Sequence, residues 1–201
     1  MEQSRADPRR GDLNTPAITA PTTKRSPAFI AKIAGVFYLL TFVFGGIALT
    51  VGGKVAAIAG PIAGIPYIAV TVLFYYIFKP VNRNVSFLAA FISLFGCVVG
   101  PLDLFLPAAY RINPLVVFGF YCLLIGYLIL RSTFLPRFLG ILMVLAGLGW
   151  LTFVSPQLAK SLSPFNFLPG IVGEGALTVW LLAKGVDAKR WKAQAGVQTA
   201  S

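Results

Sequence analysis

The chain has 201 residues, of which 57% are hydrophobic and only 11% are charged. In soluble globular domains about a quarter of the residues are charged, so this composition excludes an ordinary water-soluble domain as the main structure. The apolar residues occur in runs of about 17 to 24, which is the length that a helix needs to cross the hydrocarbon core of a bilayer. The sequence therefore predicts an all-α, polytopic membrane protein.

The net charge is +11, and the sequence contains no histidine. The cations lie in the tails and in short loops between apolar runs, not on one soluble face, so we expect them to orient the protein in a membrane and expect no nucleic-acid partner. Without histidine the commonest metal ligand and general base is missing, and we expect neither a metal site nor a cofactor. Cys97 and Cys122 lie inside apolar runs and are expected to be small packing residues.

Three parts follow one another along the chain. Residues 1–28 contain many Pro, Thr, Ser and Arg residues and few hydrophobic ones, which predicts a disordered basic tail. Residues 29–183 predict a bundle of six transmembrane helices, and residues 184–201 a basic C-terminal tail. The predicted spans are about 30–51, 55–78, 85–106, 114–130, 138–154 and 165–183.

Two prolines, Pro61 and Pro66, fall inside the second predicted span. Proline removes a helix hydrogen bond and frees a carbonyl, and within lipid that carbonyl needs a partner from a neighbouring helix or from water. The first two spans are joined through Gly52, Gly53 and Lys54, which predict a tight turn. The pattern indicates an antiparallel hairpin whose second helix is packed against neighbours or lines a cavity.

The lysines and arginines are distributed unequally between the two sides of this six-span arrangement. Fourteen fall on the side of the two termini and three on the other. The fourteen are Arg5, Arg9, Arg10, Lys24, Arg25, Lys32, Lys79, Arg83, Arg131, Arg137, Lys184, Lys189, Arg190 and Lys192, and the three are Lys54, Arg111 and Lys160. The positive-inside rule therefore predicts that both termini are cytoplasmic.

Glu174 is the acidic residue that the pattern places deepest in a predicted span. It precedes Lys184 by ten residues, about 15 Å at 1.5 Å per residue, which is near mid-bilayer. An ionisable group at that depth costs about 2.5 kcal/mol or more unless it is paired or hydrated. Glu174 is therefore a polar contact that ties helices together, a ligand contact, or a proton-coupling or cation-binding site. Expected partners at comparable depth are Tyr38, Thr41, Ser93 and Tyr121.

Asp103 is the other acidic residue within a predicted span. It comes eighteen residues after Val85, about 27 Å along a helix, so it lies near the outer boundary of the membrane. The nearest cation in the sequence is Arg111, and we expect the two to form an interfacial ion pair.

No pattern of a known membrane enzyme is present. The sequence has no serine–histidine dyad, no HExxH motif and no GxxxxGK[ST] loop. The glycines around Glu174, which are Gly170, Gly173 and Gly175, are expected to let helices approach closely, because no strand precedes them as a phosphate-binding loop requires. We therefore expect a non-enzymatic protein.

Four segments are similar to one known family: IAGVFYLLTFVFG at 33–45, KPVNRNVSFLAAF at 79–91, LLIGYLILRSTFLPRFLGILMVLAGLGWL at 123–151, and GEGALTVWLLAKGV at 173–186. Over about 29–186 the chain resembles the bacterial membrane proteins grouped as the domain-of-unknown-function 4386 family. The most specific pieces are the FLPRxLG turn and the late GExxLxxWLL segment. The resemblance implies a small multi-pass helical bundle in the bacterial cytoplasmic (inner) membrane.

The family has no established activity, so the resemblance carries over no catalytic residue. It draws attention to Tyr38, Arg83, Arg137 and Glu174, which match family-like positions. Two departures are a shorter link between the first two helices and the absence of an arginine near Ser93. If that arginine pairs with the glutamate in relatives, this chain lacks the pair.

Two functions remain open. The first is a non-enzymatic membrane protein that binds a lipid, a small apolar ligand or a membrane-protein partner within the bilayer, which the scarcity of polar groups favours. The alternative is a small proton-coupled transporter that uses Glu174, with the proline-containing second helix as its mobile element.

Overall fold

The computed structural model describes residues 26–51, 53–102, 105–107 and 112–199, and at positions 49, 56, 57 and 197–199 it describes the backbone alone. These residues form helices and turns and contain no strand. The predicted all-α architecture is therefore confirmed. The predicted tail lies outside the described residues up to position 25, and the first helix begins at Pro27, inside the segment predicted as tail.

The described residues form α1 Pro27–Val51, α2 Gly53–Phe78, α3 Arg83–Leu102, α4 Pro114–Arg131, α5 Arg137–Leu151, α6 Pro156–Leu162, α7 Leu168–Ala183 and α8 Ala188–Thr199. Within this part of the chain, six stretches are long and apolar enough to cross a membrane. They are Pro27–Ala48, Gly53–Phe78, Arg83–Leu102, Pro114–Arg131, Arg137–Val154 and Phe165–Ala183. Each overlaps one of the predicted spans, with ends that differ by at most four residues.

The spans pack in chain order and close into a ring. Each of α1 to α4 packs against the next helix along the chain, α5 packs against α7, and α7 packs against α1. One side of the ring carries the start of α1 and the end of α7, and we call it the basic face. Its described cations are Lys32, Lys79, Arg83, Arg131, Arg137, Lys184, Lys189, Arg190 and Lys192, whereas those of the opposite face are Lys54 and Lys160.

Large side chains from five spans fill the centre of the bundle. Tyr38, Phe74, Tyr121, Met143 and Leu177 are each exposed by 2% or less. Many large hydrophobic side chains are nevertheless exposed on the outside of the same helices. A bundle that is apolar inside and outside is typical of a protein whose outer surface contacts lipid.

Three segments differ from the sequence prediction. The third span ends as a helix at Leu102, because the chain turns through Phe105 before Pro107. The polar link through Lys160 contains the short helix α6, whose first turn is capped by the Ser155 hydroxyl accepting from the N–H of Leu158. Gly53, predicted as part of a turn, is the first residue of α2 and has a φ of +58°, a conformation that glycine adopts readily.

The segment predicted as a C-terminal tail forms α8, which lies across the basic face. The Asp187 carboxylate accepts hydrogen bonds from the N–H groups of Lys189 and Arg190, at 2.9 and 3.1 Å, and so caps the helix. Trp191 donates from Nε1 to the carbonyl of Ile77 at the end of α2, at 2.8 Å. These bonds hold the helix against the bundle although its own sequence is polar.

Candidate functional site

Glu174 lies on α7 and is buried, with 8% of its surface exposed. Two glycines bring α7 close enough to α5 for this position. A methyl group added at Gly173 would overlap the carbonyl of Leu142, and one added at Gly170 would overlap the ring of Trp150. A methyl group at Gly175 would meet nothing within 4 Å. Gly170 and Gly173 therefore have the predicted role in close packing, and Gly175 does not.

Both oxygens of the Glu174 carboxyl accept hydrogen bonds. The Tyr38 hydroxyl of α1 donates to Oε2 at 2.6 Å, and the Trp150 indole N–H of α5 donates to Oε1 at 2.5 Å. The Cys122 thiol of α4 also lies within hydrogen-bonding reach. Hydrogen bonds to a carboxylate are among the stronger ones in proteins. We call these four residues the Glu174 centre, and its bonds join α7 to α1 and to α5.

Aromatic rings form one wall of the Glu174 centre. Tyr67 of α2 makes edge contacts with Tyr38 and Tyr121, with ring centroids 5.8 Å apart in both pairs, and with Phe118 at 4.7 Å. The Tyr121 hydroxyl is buried and has no hydrogen-bond partner among the described residues. A buried polar group left unpaired costs about 1–3 kcal/mol. Among the described residues, this hydroxyl is therefore the one buried polar group of the wall that has no hydrogen-bond partner.

The structure brings together only some of the predicted site residues. Glu174 and Tyr38 are in direct contact, and Tyr121 contributes its ring to the wall. Ser93 lies elsewhere, since its hydroxyl is 2.5 Å from that of Thr71 and ties α3 to α2. Thr41, also expected near the glutamate, donates instead to the carbonyl of Phe37 in its own helix, at 3.2 Å. Asp103 and Arg111, the predicted ion pair, lie outside the described residues.

Sequence reasoning missed Trp150, Tyr67 and Cys122. At a helical rise of 1.5 Å per residue, Trp150 lies about 20 Å along the helix axis from Arg137, and Tyr67 about 18 Å from Lys79. Glu174 is about 15 Å from Lys184 by the same measure. Their depths are thus comparable with that of Glu174, so depth was a signal for Trp150 and Tyr67 as it was for the predicted hydroxyl groups of the first, third and fourth spans.

The Glu174 centre offers little chemistry beyond hydrogen bonding. The Cys122 thiol, which is buried, is its one common nucleophile, and the described residues contain no group of three His, Cys, Asp or Glu side chains that could hold a metal ion. The one ion pair in the described part of the chain joins Arg190 to Asp187, at 3.5 Å, on the basic face. Neutral donors alone therefore contact this buried carboxyl.

An open cavity lies elsewhere, between α1 and α2, on the half of the bundle nearer the basic face. Its volume is about 550 Å³, and its lining consists of Ile30, Ile33 and Phe37 from α1 and Ala69, Val72, Leu73 and Tyr76 from α2. We call it the α1–α2 groove. The exposed fractions of Val72 and Tyr76 are 47% and 56%, so the groove opens to the outside of the bundle. Apart from the Tyr76 hydroxyl, the lining side chains are hydrocarbon.

A second cavity, of about 340 Å³, lies at the opposite face. Residues of α5, α6 and the start of α7 line it, together with Asn166. The Asn166 amide donates to the Thr152 hydroxyl and to the carbonyl of Ala159, both at 3.4 Å. Its buried oxygen has no partner among the described residues.

Comparison with known proteins gives a family and no activity. The model of a family described as "Domain of unknown function (DUF4386)" matches residues 105–185. An uncharacterised protein of Archaeoglobus fulgidus is 29% identical over 134 residues, an alignment that covers 59% of this chain and 76% of the relative. No solved structure matches the chain. The similar segments at 33–45 and 79–91 lie outside the matched region. Over residues 105–185 the chain matches the model of the DUF4386 family, which is the family that its sequence resembles.

Proposed function

We propose that this chain is a non-enzymatic membrane protein that binds a lipid, with an acyl chain in the α1–α2 groove. The observation that carries the proposal is the groove itself. A volume of about 550 Å³ falls within the range of about 300–1,000 Å³ for small-molecule sites. The hydrocarbon lining and the opening to the outside of the bundle suit an acyl chain that arrives from the surrounding lipid.

In this proposal the Glu174 centre has a structural role. Both carboxyl oxygens already accept hydrogen bonds, and both described cavities are lined by other residues. The sequence contains no histidine, the base that commonly activates a serine or cysteine nucleophile. We therefore propose no enzymatic activity and no nucleic-acid partner. The cation distribution supports the cytoplasmic (inner) membrane as the location, with the basic face toward the cytoplasm.

The test is a substitution that fills the groove. Val72→Trp places a large ring in the lining, and Val179→Trp is the matched control because Val179 is 65% exposed on α7, away from the groove and at similar depth. Each purified protein is titrated in detergent with dioleoyl phosphatidylcholine and, separately, with dioleoyl phosphatidylglycerol. A ligand that binds the folded state raises its Tm by mass action.

For the wild type and Val179→Trp we expect at least one lipid to raise Tm, and for Val72→Trp we expect the rise to be lost. Equal rises for all three proteins would mean that lipid binds around the whole bundle, and the proposal would be wrong. The Tm of each protein without lipid verifies that the substitutions leave the fold intact.

A small proton-coupled transporter that uses Glu174 is the second candidate. The observation that favours it is the unpaired Tyr121 hydroxyl, because it borders a buried carboxyl and contacts Tyr67 of the helix that contains Pro61 and Pro66. A hydroxyl without a partner can take or give a proton when the helices rearrange. In this hypothesis Glu174 carries the proton across the middle of the membrane.

Proteoliposomes with an entrapped pH-sensitive dye test this second function. After a membrane potential is imposed, a proton carrier acidifies the lumen faster than empty liposomes do. Glu174→Gln should abolish the difference while the protein keeps its folded elution profile. If wild-type flux equals that of empty liposomes, or if Glu174→Gln leaves the flux unchanged, Glu174 is no proton carrier.

A further inference from the structure

We propose that the Tyr76 hydroxyl donates a hydrogen bond to an ester carbonyl of the lipid in the α1–α2 groove, so that the groove prefers ester-linked to ether-linked phospholipids. This inference rests on the proposed function and adds the chemical linkage by which the lipid is recognised. Its support comes from the height of Tyr76 in the bundle and from the hydrogen-bonding capacity of its side chain.

The groove runs along the hairpin from the basic face toward the middle of the bilayer. Its α1 wall extends from Ile30 to Phe37 and its α2 wall from Tyr76 back to Ala69, and either separation corresponds to about 10.5 Å of helix. Ile30 lies in the first turn of α1, and Tyr76 lies in the last turn of α2. A lipid whose acyl chain occupies the groove therefore has its headgroup at the end where Ile30 and Tyr76 lie.

Tyr76 contributes the polar side-chain group of the groove lining. It follows Val72 by four residues and Leu73 by three, and all three line the groove, as residues at these spacings share one side of a helix. Among the described residues, none forms a hydrogen bond with the Tyr76 hydroxyl. The hydroxyl can therefore donate to a lipid that lies in the groove.

The depth of Tyr76 favours the ester carbonyl over the phosphate as the acceptor. The second span ends at Phe78, so the Cα atom of Tyr76 lies about 3 Å inside that end. Helical side chains lean toward the N-terminus of their helix, and for α2 this direction leads into the bilayer. The ester carbonyls lie between the phosphate and the acyl chains, and they only accept hydrogen bonds. An ether-linked lipid lacks this carbonyl oxygen and leaves the hydroxyl without its partner in the groove.

The inference is tested with two phosphatidylcholines that differ only in linkage. One is the dioleoyl diester, and the other is the diether whose two octadecenyl chains are attached through ether oxygens. Apparent Kd values are measured from the lipid-bound fraction by native mass spectrometry of the purified full chain. A hydrogen bond that is exchanged with water changes an affinity by about fivefold. The wild type should therefore bind the diester about fivefold more tightly than the diether.

Two variants assign the preference to one hydroxyl group. Tyr76→Phe keeps the ring in the groove lining, and it should weaken binding of the diester about fivefold and leave that of the diether unchanged. The matched control is Tyr75→Phe, which removes a hydroxyl from the neighbouring residue of α2, outside the groove lining. It should keep the wild-type preference. The Tm of each variant without lipid verifies that the fold is intact.

The outcomes separate this inference from the proposed function. If the wild type binds both lipids equally and Val72→Trp abolishes binding of both, the groove binds acyl chains but the recognition of the ester is wrong. If Tyr76→Phe keeps the preference, or if Tyr75→Phe removes it as well, the assignment to the Tyr76 hydroxyl is wrong. If Val72→Trp affects neither lipid, both proposals fail.

Discussion

The two long hairpins of the bundle, α1–α2 and α4–α5, both contain several glycines but use them differently. In α4–α5 the glycines of one helix face those of the other: Gly119 lies opposite Gly147, and Gly126 lies opposite Gly140. A methyl group added at Gly119 would lie 3.1 Å from the carbonyl oxygen of Gly147, and one at Gly126 would lie 2.9 Å from that of Gly140. The backbones of α4 and α5 are therefore in direct contact.

In α1–α2, methyl groups added at Gly45, Gly46, Gly60 and Gly64 would meet nothing within 4 Å. These four glycines therefore do not lie at the contact between the two helices. The comparison teaches that a glycine within a span indicates a close helix contact only when it faces the neighbouring helix. Gly119 and Gly126 of α4 are seven residues apart, as are Gly140 and Gly147 of α5, and seven residues are about two turns.

The largest effect is expected from a side chain forced between α4 and α5. Gly126→Leu would press against the carbonyl of Gly140 and against Val144, whose Cγ2 lies 2.7 Å from an added Cβ. Overpacking of this kind costs about 1–3 kcal/mol and sometimes more, and here backbone rather than a flexible side chain has to move. We expect a severe loss of folded protein, measured as the monodisperse fraction in detergent.

The matched control in the other hairpin is Gly60→Leu. Because nothing lies within 4 Å of that position, the new side chain should face lipid or detergent and change Tm little. Similar losses for both substitutions would contradict the difference between the hairpins.

The second-largest loss of stability is expected from replacing Glu174, which joins the two hairpins through its hydrogen bonds. Tyr38 belongs to α1 and Trp150 to α5, and Glu174 binds both. Glu174→Ala removes the shared acceptor and leaves two buried donors unpaired, at about 1–3 kcal/mol each. We expect a loss of about 2 kcal/mol or more in unfolding free energy, measured by denaturant titration in mixed micelles.

Glu174→Gln retains one acceptor oxygen of similar shape, so it should cost less than Glu174→Ala. A double-mutant cycle with Tyr38→Phe isolates the bond between the two side chains. A coupling energy near zero would show that the hydrogen bond does not hold the hairpins together.

The positions of the six spans could be predicted because length and hydrophobicity alone decide whether a helix can cross a bilayer. The helix α8 could not be predicted in this way, because its sequence is polar and contacts with Ile77 and with the α4–α5 turn hold it in place. A local signal was present nonetheless. Asp187 stands where an N-cap residue is expected, just before a run of good helix formers.

The candidate site could be predicted only in part for a related reason. Counting residues from a charged end gives the height of a side chain in the membrane but not its direction around the helix. Tyr38 and Ser93 have suitable heights, yet α1 packs against α7 whereas α3 packs against α2 and α4. The order of helices around the ring depends on packing, which the heights do not specify.

A smaller effect, of opposite sign, is expected for Tyr121→Phe in the wall between the hairpins. The hydroxyl is buried without a partner, and its removal leaves the ring contact with Tyr67 in place. We expect the unfolding free energy to rise by about 1 kcal/mol, because the desolvation cost of an unpaired group disappears. A clear loss of stability would indicate that the hydroxyl has a partner, and the transporter hypothesis would then lose the unpaired hydroxyl that favours it.

The smallest change in stability is expected from filling the α1–α2 groove with a larger side chain. Ala69 lines the groove, and Ala69→Leu adds side-chain contacts between α1 and α2. Filling a cavity commonly adds about 0.5–2 kcal/mol, and because this groove is open we expect the lower end, measured as a small rise in Tm in detergent. The same substitution should abolish the rise in Tm that phospholipid produces in the wild type, since leucine then occupies the space of the acyl chain. If Ala69→Leu raises Tm and lipid still raises it further by the wild-type amount, the lipid binds elsewhere on the bundle.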